Sequence, residues 1–410
     1  MNAIWVLMGL LLLAYMGSFL VGGHAIRGIG LPSGAEYVVL GFLVGPGVLG
    51  LVERSTLHAF DPLANVALGW LIFVVGAMYG TTGERRVPIP RLVAGWLVTL
   101  FTGALVGGAV WLVLPWAAPA LAPMDRILLA GGVGAAGSET TRYAVRWVVE
   151  RHHASGPVSE LIGELAEGDD LVPLLAVAVL FALPPADLAI PVPGWGLVGI
   201  TVGVGVVLGA IAAALLGRTF SIAETWGVLF GVSLLGVGIS ERLELSTITT
   251  LFVLGLSLSI LSPHRRALAA MLAPSERPVM LPALLLAGAH VDLGAASYLP
   301  FVIAAAVAAR IFGKWLVGVG LLAVSRTTRP VGLRLGLGLL PAGALSMSIG
   351  LAFALRFQGA VGAVVLTAAA VITLLGEFVG PSSLRAALAR LGETRDDAPA
   401  SSRRAPGAAA

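Results

Sequence analysis

The stretch GELAEGDDLVP, residues 163–173, decides how the rest of the chain is read. It opens an apolar run that continues through LLAVAVLFAL to Leu183. Glu160, Glu164, Glu167, Asp169 and Asp170 therefore enter or sit within a helix that a membrane must hold. A charged side chain at the bilayer centre costs at least about 2.5–3.5 kcal/mol, and such residues mark ion or proton pathways. A second anchor lies far along the chain, in AARIFGKWLVGVG (308–320), where Lys314 is the only lysine. Arginine keeps its proton in a protein, whereas lysine can release one. The acidic pair and the lysine are read together as one titrating ion site.

The composition says what surrounds that site. Of 410 residues, 58% are hydrophobic and only 11% charged, with mean hydropathy +0.96, against about 25% charged in a soluble domain. Apolar runs of membrane-spanning length recur along the chain, which makes it an all-α polytopic membrane protein. Fifty-four glycines suit close helix packing and broken helices. The absence of cysteine excludes disulfides, thiolate metal sites and cysteine nucleophiles. The first segment lacks a basic lead-in and is read as a retained helix.

Thirteen spans are predicted, near 2–22, 33–52, 62–82, 92–116, 124–148, 157–183, 194–216, 222–240, 245–262, 278–296, 299–325, 332–355 and 359–380. Arginines test that count. Eighteen fall in alternate loops and the tail, four (Arg54, Arg126, Arg242, Arg356) in the opposite loops, and two (Arg142, Arg310) inside spans. Positively charged loops stay cytoplasmic, so the N-terminus is placed outside and the C-terminus inside. Residues 384–410 are expected to be a disordered tail, since they are rich in Ala, Arg and Pro.

Spans one to six resemble spans eight to thirteen in order, with the seventh as linker. Two matching spans are interrupted: GGVGAAGSETTRY (131–143) and GLLPAGALSMSIG (338–350). Such a pair, in an inverted repeat, points to a transport site at the midplane.

Several stretches together resemble the bacterial monovalent cation:proton antiporter superfamily, which includes sodium/proton exchangers and the membrane domains of potassium-efflux systems. GLPSGAEYVVLGFLVGPGVLGLV (30–52) is similar to its second helix, GWLIFVVGAMYG (69–80) to the third, LPALLLAGAHVDL (281–293) to a later Pro-opened helix, and ITLLGEFVGP (372–381) to the last. The resemblance covers about residues 5–385. It implies two crossing discontinuous helices, and a core of spans near 92–183 and 299–380 moving against a dimer-forming scaffold near 2–82 and 194–296. It places the paired carboxylates on Asp169 and Asp170, the lysine of electrogenic members on Lys314 with Arg310 one turn earlier, and the unwound stretch on Ser138, Glu139, Thr140 and Thr141. The chain departs from the superfamily in having Asp-Asp where potassium-efflux and electroneutral members have Gln-Asp or Asn-Asp. It also lacks the Glu often found in the second broken helix and any nucleotide-binding domain.

The expected activity is exchange of protons for Na+, K+ or Li+ in the bacterial inner membrane, electrogenic, by a homodimer without nucleotide, nucleic acid or resident cofactor. The chain is not read as an enzyme. Hard monovalent cations take oxygen ligands, so Asp170 is the expected alternating ligand for proton and cation. Asp169 is expected to pair with Lys314 until a cation intervenes; a purely structural ion pair is the other reading of Lys314. Glu139, Thr140 and Thr141 stand either as oxygen donors or as helix caps and interhelical hydrogen bonds. Arg142 and Arg310 need buried partners, for which Glu139, Glu164 and Glu167 are candidates. Glu160, Glu164 and Glu167 share a helical face by spacing, as a cytoplasmic funnel or simply a solvated face. His290 and Asp292 read as a satisfied helix end, and His152 and His153 as loop residues. No His/Glu cluster has zinc spacing along the chain. Competing readings are a sodium-coupled symporter of an organic solute, an intramembrane aspartyl hydrolase lacking its second Asp motif, and a retinal-binding protein.

Overall fold

The computed structural model describes residues 3–21, 33–82, 85–184, 192–217, 222–324 and 335–394. Its helices, in order, are α1 (Ala3–Val21), α2 (Ala35–Val44), α3 (Arg54–Ala59), α4 (Asp61–Met78), α5 (Ile89–Ala117), α6 (Pro123–Ala136), α7 (Arg142–Arg151) and α8 (Pro157–Gly168). They continue with α9 (Leu171–Phe181), α10 (Gly194–Leu216), α11 (Ile222–Arg242), α12 (Thr247–Leu261), α13 (Arg265–Ala289), α14 (Leu299–Val324), α15 (Ala344–Arg356) and α16 (Ala360–Arg390). A two-residue hairpin, β1 (Thr81–Thr82) and β2 (Arg85–Arg86), closes one loop. Among the described residues, six helices are long and apolar enough to cross a membrane: α4, α5, α10, α11, α14 and α16. The first and tenth expected spans lie in α1 and α13, and the others appear as shorter helices or as broken pairs.

Three spans are broken. The fifth divides into α6 and α7, with residues 138–141 between them out of helix. The twelfth begins as a 3-10 turn at 335–339, is out of helix through 340–343 and becomes α15. The sixth, expected as one helix over 157–183, divides into α8 and α9 at Asp169 and Asp170. The cause is three residues further on. Pro173 has no N–H to donate to the Asp169 carbonyl, and a proline ring crowds the carbonyl four residues before it. The break therefore falls on the acidic pair. Tyr79, at the end of α4, donates its hydroxyl to the Gly168 carbonyl at 2.9 Å, and Trp96 Nε1 donates to the Tyr79 oxygen at 2.6 Å.

The first and second of these breaks, in the fifth and twelfth spans, meet. Thr141 N–H donates to the Pro341 carbonyl at 3.0 Å, and the Thr140 hydroxyl to the Leu339 carbonyl at 3.2 Å. Glu139 Oε2 accepts from the Ser346 N–H at 2.5 Å, so a side chain from one break caps the helix that leaves the other. The two discontinuous helices thus cross through their unwound segments, as the repeat predicts.

Two boundaries differ from the expectation. Residues 265–277, read as loop, belong to α13, because Leu268 and Leu272 are buried on one face of it. The expected tail also starts too early. α16 continues to Arg390, with Leu384, Ala387 and Leu388 packed against Val158, Ile162, Leu335 and Leu339. Beyond it, the buried Glu393 carboxylate accepts from the Val158 and Ser159 N–H groups at 3.0 and 2.8 Å and caps α8. The remainder of the tail expectation, 395–410, lies outside the described residues, as do Arg27, Arg218, Arg326, Arg329 and Arg334.

Candidate functional site

Each broken helix leaves backbone carbonyls without helical partners, and in a membrane these must be satisfied inside the protein. α14 supplies the donors. The Arg310 guanidinium donates to the Gly137 and Glu139 carbonyls of the first break (2.6 Å to Glu139) and to the Leu340 and Pro341 carbonyls of the second (3.0 and 3.3 Å). One turn further along, Lys314 Nζ donates to the Ser138 carbonyl at 2.8 Å and to Thr140 Oγ1 at 2.7 Å. Lys314 is completely buried. Arg310 therefore does not need the carboxylate partner expected from its burial. Its planar fork of donors takes four carbonyls instead.

The acidic pair faces this arrangement from the α8–α9 break. Asp169 is 1% exposed and Asp170 6%. Asp169 Oδ2 accepts from the Thr140 N–H at 2.6 Å, and its Oδ1 is buried without a protein hydrogen-bond partner. The expected direct pairing of Asp169 with Lys314 is not formed. Thr140 stands between them, its N–H on the carboxylate and its hydroxyl oxygen on the ammonium. The Ser138 carbonyl and the Thr140 hydroxyl take two of the ammonium's three donors.

Asp170 points to a different cation. Arg142, at the start of α7, lies 3.9 Å from Asp170, 3.5 Å from Glu167 and 3.0 Å from Glu276. Arg146 reaches Glu167 from the half-exposed side at 3.4 Å. Of the partners expected for Arg142, only Glu167 takes the role. Glu276 was hidden from a sequence reading because it sits among prolines in what looks like a loop. Glu164 is elsewhere, 3.6 Å from Arg91. A cavity of about 20 Å³ lies against Asp170, Glu139, Thr141, Arg142 and Glu276, room for roughly one water-sized body. A second cavity, of about 270 Å³, approaches from the end where α7 meets α8. It is lined by Arg142, Arg146, Glu160 and Glu167. Glu160 and Glu167 thus share a lined passage, while Glu164 turns away from it.

Two further polar residues emerge only in three dimensions. Glu377 of α16 is buried, its two oxygens taking the Ser33 hydroxyl at 2.6 Å and the Ser33 N–H at 3.2 Å. An acidic residue inside ITLLGEFVGP is a legible signal; its partner 344 positions away is not. Ser346 is the other, with its Oγ 2.6 Å from Glu139 Oε2 and 2.7 Å from the Ala136 carbonyl. His152 packs edge-on against Trp147.

The comparisons with known proteins bear on the fold and the family. No curated protein sequence matches the chain. Among solved structures, the sodium proton antiporter MjNhaP1 from Methanocaldococcus jannaschii, at pH 8, superposes with a TM-score of 0.69 over 95% of this chain and 99% of that one, at 15% identity. An electron-microscopy structure of the same antiporter superposes with a TM-score of 0.62 over 95% and 98%, at 17% identity. These likenesses show the fold. The model of the transmembrane sodium/hydrogen exchangers matches residues 12–390. The chain therefore belongs to the transmembrane sodium/hydrogen exchanger family.

Proposed function

We propose that this exchanger carries one monovalent cation, Na+ before Li+ or K+, against protons that compete with it for Asp170. The observation that supports this reading most directly is the pair of adjacent buried carboxylates at a helix break, facing the crossing of two discontinuous helices. Asp170 is the group that exchanges its partner. Of the three carboxylates around Arg142, it lies farthest from the guanidinium, so a cation displaces that contact first and leaves Arg142 held by Glu167 and Glu276. The adjoining cavity suits an ion stripped of most of its water. It is far below the 300 Å³ or more of a typical organic-ligand pocket, which weighs against symport of an organic solute.

Lys314 supports electrogenic exchange by a route through Thr140. A cation drawn to the Asp169 Oδ1 side pulls on the Thr140 backbone and loosens the hydroxyl that holds the ammonium. Lys314 then gives up its proton alongside that of Asp170, and two protons cross per cation. The coupled groups titrate as a unit. Glu160 and Glu167 guide cations in from the end that carries Arg86, Arg146, Arg265 and Arg266, which line a cavity of about 1380 Å³ with no acidic residue among the described residues of its wall. The arginine asymmetry makes that end cytoplasmic, with the N-terminus outside and the C-terminus inside a bacterial inner membrane. The segments near 92–183 and 299–380 form the moving core, and the others form the scaffold through which two copies pair.

The test is proton flux in proteoliposomes. A pH gradient is set, then Na+, Li+ or K+ is added. Wild type is expected to dissipate the gradient with one of these cations and Asp170→Asn to show only background. Cation-dependent flux that survives in Asp170→Asn overturns the site. For Lys314, the expected result in Lys314→Gln is continued exchange at a changed proton-to-cation ratio. An unchanged ratio and pH profile removes its proposed role.

A further inference from the structure

We propose that His58, Asp61 and His290 form a binding site for a divalent transition-metal ion of the Zn2+ class, at the opposite end of the molecule from the arginine-lined cavity and separate from the carboxylate site. The three offer ligand atoms that all lie within 4.8 Å of one another, and among the described residues no other trio of His, Asp or Glu does so. His58 stands at the end of α3 and Asp61 at the start of α4, separated by the Phe60 corner. His290 follows directly on α13. The two imidazoles and one carboxylate come from two parts of the chain 229 positions apart, which is why no zinc spacing is visible along the sequence.

The geometry carries three marks of a metal site. The Asp61 carboxylate splits between the rings, Oδ2 lying 3.0 Å from His58 Nδ1 and Oδ1 3.1 Å from His290 Nε2. Ligand atoms at tetrahedral corners around zinc, with bonds of roughly 2.0–2.1 Å, stand about 3.3 Å apart, so small side-chain shifts bring a shared ion within reach of both pairs. Next, His290 Nδ1 lies 2.9 Å from the Leu286 carbonyl. A carbonyl can only accept, so Nδ1 carries a proton and Nε2 is the ring nitrogen turned toward Asp61. A backbone carbonyl fixing the far nitrogen is the usual support of a metal-binding histidine. Finally, His58 and His290 line a cavity of about 530 Å³, open enough for a water or other fourth ligand. The one cation on that wall, Arg54, is held by Asp292 at 2.7 Å. A donor set of two histidines and one carboxylate with an open position is that of a zinc site.

The measurement is equilibrium binding of Zn2+ to the full chain in detergent, purified without a histidine tag, by calorimetry and by metal content after dialysis. Wild type is expected to hold one Zn2+ per chain and to melt at higher temperature with the metal present. His58→Ala and His290→Ala are each expected to lose that equivalent and the thermal shift, while His264→Ala retains both. Co2+ substituted into wild type is expected to give the intense visible absorption of a four-coordinate ion, absent in His58→Ala. Because His58 is largely exposed, its replacement leaves the fold intact and keeps the test decisive. Failure of folded wild type to hold Zn2+, or binding undiminished from wild type in His58→Ala and His290→Ala, overturns the proposal. Either result leaves the cation-exchange reading standing, since the Asp170→Asn comparison shares no residue with it.

Discussion

The contact between α4 and α12 and the contact of α14 with the two helix breaks obey the same constraint by opposite means. In the first, backbones approach closely because side chains are absent. A methyl group added at Gly76 overlaps the Phe252 carbonyl oxygen, and one added at Gly255 overlaps the Phe73 carbonyl oxygen. Phe73, Leu251, Leu254 and Leu258 fill the space around that contact. In the second, the backbone is opened and two cations fill the opening. Both satisfy the rule that polar backbone in a membrane is never left to lipid. The α4–α12 seam keeps its helices whole and gains packing, and only shape matters there. The crossing breaks its helices and needs charge to repair them. A region that binds and releases ions requires the second solution, since a rigid apolar seam has no group to offer a cation.

Three substitutions probe this contrast through thermal unfolding in detergent. Arg310→Met removes donors from four carbonyls and leaves buried acceptors unmet, so a loss of about 3 kcal/mol or more is expected. Wild-type stability in that variant would mean the crossing does not depend on the guanidinium, and the contrast would fail. Gly255→Ala forces α4 and α12 apart, at an expected cost of about 1–3 kcal/mol. Its transport should be preserved in whatever fraction stays folded, and a selective loss of transport would show that the seam takes part in the exchange cycle. The smallest effect belongs to Glu393→Ala, which uncaps α8 at a cost of about 1 kcal/mol. Glu393→Gln, which keeps an oxygen acceptor, should recover part of it.

The legible features of the sequence were those in which a residue type contradicts its surroundings. Asp169, Asp170, Lys314 and Arg310 stand out because charge inside an apolar span is costly wherever the span goes. Gly and Pro interruptions in two matching segments mark the crossing for the same local reason. Partners were illegible, because pairing depends on which helices become neighbours. Arg142 takes Glu276 from a segment that reads as loop, and Arg310 takes carbonyls where a carboxylate was expected. His58 and Asp61 meet His290 only because α13 ends beside the α3–α4 corner.

The sequence alone determined a polytopic helical chain, two of its three broken spans and the acidic pair, since hydropathy, Pro and Gly act within a few residues. Tertiary structure decided that Thr140 separates Asp169 from Lys314 and that Arg142 gathers Asp170, Glu167 and Glu276. It also decided that Glu393 belongs to the folded body. Each of these is a contact between distant segments, formed because buried polar groups take the best donors that packing brings within reach.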